Sequence, residues 1–436
     1  MVSLCVNFFN IYLGDDFYLG FHTSHIHSVV PSVILTTTES HPVLYSIDAP
    51  AVNYYRSGII TNPLEVIIDL SFLRVSFGQS ERGVHVKTNS SRVTVLMQSH
   101  GSNGDLIDTN IALPITNSLF QEYVYYGLLA SQYGEFLIVG TIDNTMVTLS
   151  TIQSTDLKFN NTNVKLTPGR HHSFKLNKVQ TVLISALKDF KIVTDKPISV
   201  FSSLVCIKET KGSKVCDQSI IQIPPITSWG TEYFIAPLAT RRSYTIKVLA
   251  AYDSTNVEIY CNNARRSYTI NEGMIVVQTL KYEEYCVVLA SKPVLIAQIS
   301  QSGNDGSNFD AMVTLVPSAD QYSNKVITST VRKPLKSGYT HYINIIVLRE
   351  SFQRNMIFLM SGGVKKSLVT QRWVPLRVNG NHEAYATKVT VSEGLIELVH
   401  TNTIALMAAT VYGFAEAVSY GHSVGIAHRL DKYEGT

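Results

Sequence analysis

The sequence is poor in charge. Only 16% of its 436 residues are Asp, Glu, Lys or Arg, and 36 basic against 33 acidic residues leave a formal net charge of +3. That balance argues against nucleic acid as the main partner, because phosphate binding needs a concentrated basic surface. Long apolar runs are also missing. No stretch reaches the ~18 consecutive apolar residues of a transmembrane helix. Amphipathic patterns of three helical turns are absent, and so are low-complexity segments. Five cysteines are too few for a disulfide-dense mini-domain. A hydrophobic share of 45% nevertheless excludes a disordered chain.

What is present favours strands. The 23 tyrosines outnumber the 17 phenylalanines, and Val, Ile, Thr and Ser are plentiful. Internal repetition is the strongest signal. Leu113-Pro114-Ile115-Thr116 leads to Glu122-Tyr123, Ile223-Pro224-Pro225 leads through Trp229-Gly230 to Glu232-Tyr233, and Val316-Pro317-Ser318 leads to Gln321-Tyr322. Downstream of the first two lie hairpin patterns in which alternating apolar residues flank Asp143-Asn144-Thr145 and Asp253-Ser254-Thr255. The third copy keeps two strands, Tyr342–Val347 and Met356–Leu359, around a longer turn, and a worn copy sits at Phe17–Ile47. A closing element recurs as Asp195-Lys196-Pro197 before Ile198 and as Ser291-Lys292-Pro293 before Val294, with weaker versions at Asn89–Leu96 and Thr401–Thr410. There, proline follows a polar turn and opens a new strand.

The expected fold is all-β, with about four degenerate repeats of roughly 100 residues. A β-propeller with two blades per repeat is preferred, and tandem β-sandwiches are the alternative. Residues 1–14 form an uncertain N-terminal segment, because they lack a basic n-region and a cleavage site. The expectation is that the start is truncated or misassigned. Residues 15–425 form the repetitive β domain and 426–436 a polar tail.

Cys206 and Cys216 flank a polar loop, and Cys261 and Cys286 end strands within one unit. Each pair is a disulfide candidate, against the alternative of buried free thiols. Asn89 and Asn160 lie in N-glycosylation sequons. No zinc-type Cys/His spacing occurs, and neither His25-Ile26-His27 nor Asn304–Asp310 completes a metal site. The expectation is therefore no metal and no cofactor. Walker A and dinucleotide-binding loops are missing, and no nucleophile motif is convincing. The arginine pairs Arg241-Arg242 and Arg265-Arg266 read as solvated strand ends, and Trp229 as a core anchor.

At these residues the chain resembles a known family. Thr194–Phe201, Cys206, Cys216-Asp217, Gln222–Pro225 and Ser228–Tyr233 are similar to the N-terminal domain of the IgGFc-binding protein family. So are Leu113-Pro114, Asp143-Asn144-Thr145, Ser291–Val294, Met312–Pro317, Val411–Phe414 and Ser419-Tyr420-Gly421. The structural motif residues are Asp195, Lys196, Pro197, Trp229, Gly230, Glu232 and Tyr233. The resemblance implies a secreted or surface-exposed, non-enzymatic module that binds secreted glycoproteins or mucins, with immunoglobulin Fc among the candidates. It carries no catalytic residues across, and this sequence lacks the family's cysteine-rich von Willebrand segment and Gly-Asp-Pro-His motif. Two competing readings are a glycosidase with a central acid-lined pocket and a self-associating matrix module.

The oxidising-compartment reading has a direct consequence. Secreted protein, alkylated and digested without reductant, should yield peptides linked through Cys206–Cys216 and Cys261–Cys286. Complete alkylation of all five thiols in folded protein would point to a reducing compartment instead.

Overall fold

The computed structural model describes residues 13–21, 29–61, 63–67, 78–101, 106–115, 122–129, 134–159, 162–186, 188, 190–207, 217–262, 264–302, 310–332, 338–415 and 418–425. Among them are only β-strands, short 3-10 turns and irregular connections. The strands follow from alternation. Thr145–Ser150 and Thr255–Cys261 each begin with every second side chain buried. The turns before them use Asn144 and Ser254 at φ 56° and 52°, where a short polar side chain tolerates a left-handed backbone.

All pairings are antiparallel, and sheets share cores in pairs. In residues 16–111 one sheet runs Asp16–Leu19, Val84–Thr88, Leu44–Ala49, Tyr54–Ile59, and a second runs Leu64–Ile67, Val29–Thr36, Thr94–Gly101, Leu106–Ile111. Phe17, Ile47 and Val86 of the first pack with Val33, Val66 and Val95 of the second. In residues 123–223 the sheets are Tyr123–Tyr126, Lys191–Thr194, Thr145–Ser150, His172–Leu176 and a longer one centred on Gly134–Gly140 and Ile198–Ile207. In residues 230–315 a single sheet does both jobs. The 15-residue strand Cys286–Ser300 pairs with Gly230–Ile235 and Thr255–Cys261 through its first half. Its second half pairs with Ser243–Ala250 and Val313–Leu315. Residues 325–424 return to two sheets.

This ordering corrects the propeller expectation. A propeller blade is a meander of consecutive strands. In each four-stranded sheet here, neighbours such as Asp16–Leu19 and Val84–Thr88 come from distant parts of the chain. The physical reason lies in the proline element, which passes the chain from one sheet to its facing sheet. Lys191–Thr194 belongs to one sheet, Ile198–Ile207 to the other, and Asp195-Lys196-Pro197 lies between.

The hand-over is held by side chains. Lys196 Nζ donates to Asp143 O at 2.6 Å, and Lys292 Nζ donates to Asp253 O at 2.6 Å. Asp195 Oδ1 accepts from Met146 N at 2.8 Å, and Ser291 Oγ accepts from Asn256 N at 2.9 Å. Beneath each turn a buried tyrosine closes the corner. The Tyr125 hydroxyl donates to Ile198 O at 3.2 Å and accepts from Ile198 N at 3.4 Å. The Tyr233 hydroxyl donates to Val294 O and accepts from Gly230 N at 3.0 Å.

The four stretches also share apolar cores. Leu137, Val139, Leu183 and Phe201 join the core of residues 16–111. Leu249, Leu295 and Ile299 join that of 123–223. Phe234, Tyr260 and Val287 pack against Ile346, Leu348 and Leu376, while Ile34, Leu96 and Ile111 enter the core of 325–424. Residues 325–424 therefore pack against residues 16–111, which closes the circuit.

Two consequences are measurable. Tyr125→Phe strands a buried carbonyl and N–H, and should cost about 1–3 kcal/mol in urea unfolding at unchanged slope. Tyr233→Phe should cost a similar amount, and a loss confined to one of the two would contradict their equivalent roles. The second consequence concerns acid. His341 Nδ1 lies 2.7 Å from the Tyr420 hydroxyl and His422 Nε2 lies 2.9 Å from Thr328 Oγ1. Burial pushes the two imidazoles down, to about 4 and about 3. An unfolded histidine titrates near about 6.5. The contribution of each is therefore complete above that pH and is lost as pH falls toward the folded values, by about 1.4 kcal/mol per pH unit. Asp108, whose carboxyl burial raises to about 8, pulls the other way in this range, so the two rings together should still lower the unfolding midpoint between pH 6.5 and 5. A drop left unchanged by both His341→Gln and His422→Gln would show that the rings are not held neutral.

Candidate functional site

A cavity with several converging polar groups lies between the two sheets of residues 325–424. Its volume is about 340 Å³. It arises from a tight hairpin. Ile357–Ser361 turns through Gly362 and Gly363, at φ 57° and 74°, into Val364–Ser367. A Cβ on Gly362 would sit 2.8 Å from Ser392 Cβ, so this glycine permits close approach to the facing sheet. Ser361 then pins the two sheets together. Its hydroxyl accepts from Ser392 N at 2.7 Å and donates to Ser392 O at 3.3 Å. On the other side Leu368 is buried, donates its N–H to Ile357 O at 3.0 Å, and accepts from Trp373 Nε1 at 3.4 Å.

The cavity floor is aliphatic, from Leu359, Leu368, Val389 and Val391. Ser367, Thr370, Gln371, Thr390 and Ser392 also line it, and Lys366, opposite Leu359 on the paired strand, is the one charged residue of the lining. No carboxylate, imidazole or thiol lines it. The arrangement can donate and accept hydrogen bonds and attract one anionic group. It does not bring together the paired carboxylates of glycoside hydrolysis. At about 30 Å³ per water, the volume corresponds to roughly ten waters, the scale of a single sugar ring.

The residues singled out in the sequence fall elsewhere. Cys261 and Cys286 stand directly opposite on paired strands and form a disulfide, with Cα atoms 4.2 Å apart. Cys206 lies on the strand Ile198–Ile207, but its side chain, and Cys216, lie outside the described residues. So do Asn160, His25, His27 and Asn304–Phe309. Asn89 is exposed after the strand Val84–Thr88, and its Oδ1 accepts from Leu44 N at 3.1 Å. Asp195, Lys196, Pro197 and Tyr233 form the hand-overs. Trp229 is buried and donates Nε1–H to Pro224 O at 3.0 Å. A Cβ on Gly230 would sit 2.3 Å from Ser318 Cβ. Burial, then Glu383 and Glu350, raise the Glu232 carboxyl above its ordinary range.

Two further findings bear on chemistry. Arg241 is not a solvated strand end, because it is buried with its guanidinium 3.7 Å from the centre of the Phe414 ring. Burial pushes it down to about 10, against the attraction of Asp310. Gly421–Gly425 spells G-x-S-x-G, but Ser423 is buried in a strand and bonded to Thr410 Oγ1 at 2.9 Å. A nucleophile of that motif needs an exposed strand-to-helix turn. Among the described residues no group of three His, Cys, Asp or Glu could hold a metal ion, and no helix is long and apolar enough to cross a membrane. Sequence reasoning missed the cavity. Its signal is Gly362-Gly363 followed by a polar run that ends at Trp373.

A family model described as IgGFc binding protein matches residues 108–413. The chain belongs to that family. A comparison with curated proteins found no match.

Proposed function

We propose that the chain is an extracellular, non-enzymatic binding module built from four copies of one β unit, and that it recognises the saccharide part of secreted glycoproteins or mucus components. The observation that carries the ligand class is the acid-free cavity of about 340 Å³, lined by hydroxyls and an amide over an aliphatic floor. Sugars present the same mix of hydroxyl donors and acceptors, and a carboxylated sugar adds a partner for Lys366. The four-copy reading is supported by pairing. In each stretch the first strand pairs with the strand before a hand-over, as Tyr123–Tyr126 does with Lys191–Thr194 and Gly230–Ile235 with the first half of Cys286–Ser300. Asp16–Leu19 pairs likewise with Val84–Thr88, and Lys325–Ser329 with Leu395–His400. The Cys261–Cys286 disulfide supports an oxidising compartment. Immunoglobulin Fc is the partner that the family description names, and it belongs in the same ligand panel.

Titration calorimetry of the full chain with glucose and with glucuronic acid tests the ligand class. Both should bind saturably, the acid more tightly. Lys366→Gln should remove the preference for the acid while leaving glucose unchanged. Gln371→Ala should weaken both by about tenfold, the loss of one good hydrogen bond. An absence of saturable heat with any sugar at millimolar concentration, together with an unchanged unfolding midpoint, would overturn the assignment.

A further inference from the structure

The strand Tyr54–Ile59 is the outermost strand of its sheet. Its inner neighbour is Leu44–Ala49, and among the described residues no strand pairs with its other side. Ile60 N donates to Val43 O at 2.9 Å, whereas Leu44 O accepts from Asn89 N on the opposite side. Antiparallel pairs alternate between bonded and non-bonded. Gly58, Arg56 and Tyr54 therefore bond inward, and the N–H and C=O groups of Tyr55, Ser57 and Ile59 point out of the sheet.

Such an edge invites another strand, and proteins usually blunt it with charge or proline. Several other outer strands of this chain do so, with Lys165, Lys175, Arg265 and Arg266, Lys365 and Lys366, and Pro375. The strand Tyr54–Ile59 is protected by a single charge. Its one charge, Arg56, lies on the other face against the hydroxyls of Tyr54 and Tyr45. The solvent face carries Tyr55 at 68% exposure and Ile59 at 53%, beside Leu44 at 51%.

We infer that this edge pairs with the same edge of a second copy, in one register. In an antiparallel two-fold pairing centred on Ser57, outward-facing backbone meets outward-facing backbone at every bonded position. Tyr55 then stands opposite the partner's Ile59, an aromatic–β-branched pair of the stabilising kind. Ser57 meets itself, and Arg56 faces Gly58, which has no side chain to oppose it. Shifting the centre to Arg56 would place two guanidinium groups directly opposite each other, and shifting it further leaves fewer bonded pairs. The pairing extends one four-stranded sheet into an eight-stranded one across the two-fold, and sets Leu44, Ile59 and the partner's Tyr55 side by side. The contact is small and closes on itself, so it gives a weak dimer rather than a filament. It is independent of the sugar-binding reading.

Sedimentation equilibrium of the full chain up to hundreds of micromolar should show a monomer–dimer equilibrium. Ser57→Lys places like charges opposite each other and should weaken association by at least about tenfold. Ser57→Pro removes an N–H that the monomer does not use and should do the same. Ser57→Cys should give, on mild oxidation, a dimer linked between the two substituted positions, because bonded antiparallel partners stand at about 5.5 Å between Cα atoms, within disulfide reach. Tyr55→Cys alone should not cross-link to itself. A chain that stays monomeric throughout, or a dimer indifferent to both Ser57→Lys and Ser57→Pro, overturns the inference.

Discussion

The structure depends on a buried tyrosine hydroxyl bonded to the backbone where the chain passes from one set of partner strands to the next. Such a passage leaves backbone groups that neither set of partners takes up. At Ile198 the carbonyl and the N–H both go to Tyr125. At Val294 the carbonyl goes to Tyr233. A buried polar group left unpaired costs the whole of its desolvation, so the hydroxyl stabilises the corner by that amount. Lysine and the preceding polar residue complete it from outside. Lys196 and Lys292 hold the neighbouring hairpin turns by their carbonyls, and Asp195 and Ser291 accept the N–H of the strands that follow those turns.

Once each corner is fixed, the last strand of each stretch is delivered to the interior. Leu106–Ile111 lies against Asp217–Ile223 and Val418–Val424, and Val313–Leu315 lies against the latter two. These strands are unusually polar for a core, and the polarity is what joins the stretches. Asp108 accepts from Thr109 N at 2.7 Å and from Ile220 N. Burial still pushes its carboxyl up to about 8 against those bonds. Leu113 N donates to Gln222 Oε1 at 2.8 Å, and Thr94 Oγ1 donates to Ile327 O at 2.7 Å. The Tyr412 hydroxyl accepts from Ala239 N at 3.0 Å and donates to Asn344 Oδ1 at 2.9 Å. Apolar contact alone would let neighbouring stretches slide. Directional bonds across these junctions select one arrangement.

Much of this was legible in the sequence and some was not, for identifiable reasons. Asp143-Asn144 and Asp253-Ser254 marked hairpins because the turn conformation is chosen locally. Lys196-Pro197 and Lys292-Pro293 marked strand starts for the same reason. The sheet to which each new strand belongs is a long-range property, and a proline that opens a blade looks the same as one that crosses to a facing sheet. Arg241 was misread because its burial comes from Phe414, far away in sequence. Arg265, with the same neighbours in sequence, pairs with Glu258 at the surface. The cavity escaped because Gly362-Gly363 reads as any tight turn. Only the facing Ser392 shows that the glycine brings two sheets within bonding distance and leaves a recess beside them.

This division of labour explains why the recess lies where it does. The interior junctions have no room to vary, since their polar atoms are committed to one another and a substitution there breaks a bond between stretches. The outer end of residues 325–424 has no such duty. Its hairpin is tied by Ser361 at one point, and Lys366, Thr370 and Gln371 line the recess beside it. A scaffold that fixes its corners with backbone bonds can change these residues without disturbing the fold. The rigid part of the molecule therefore sets the geometry of recognition, and the exposed ends of the sheets set its chemistry.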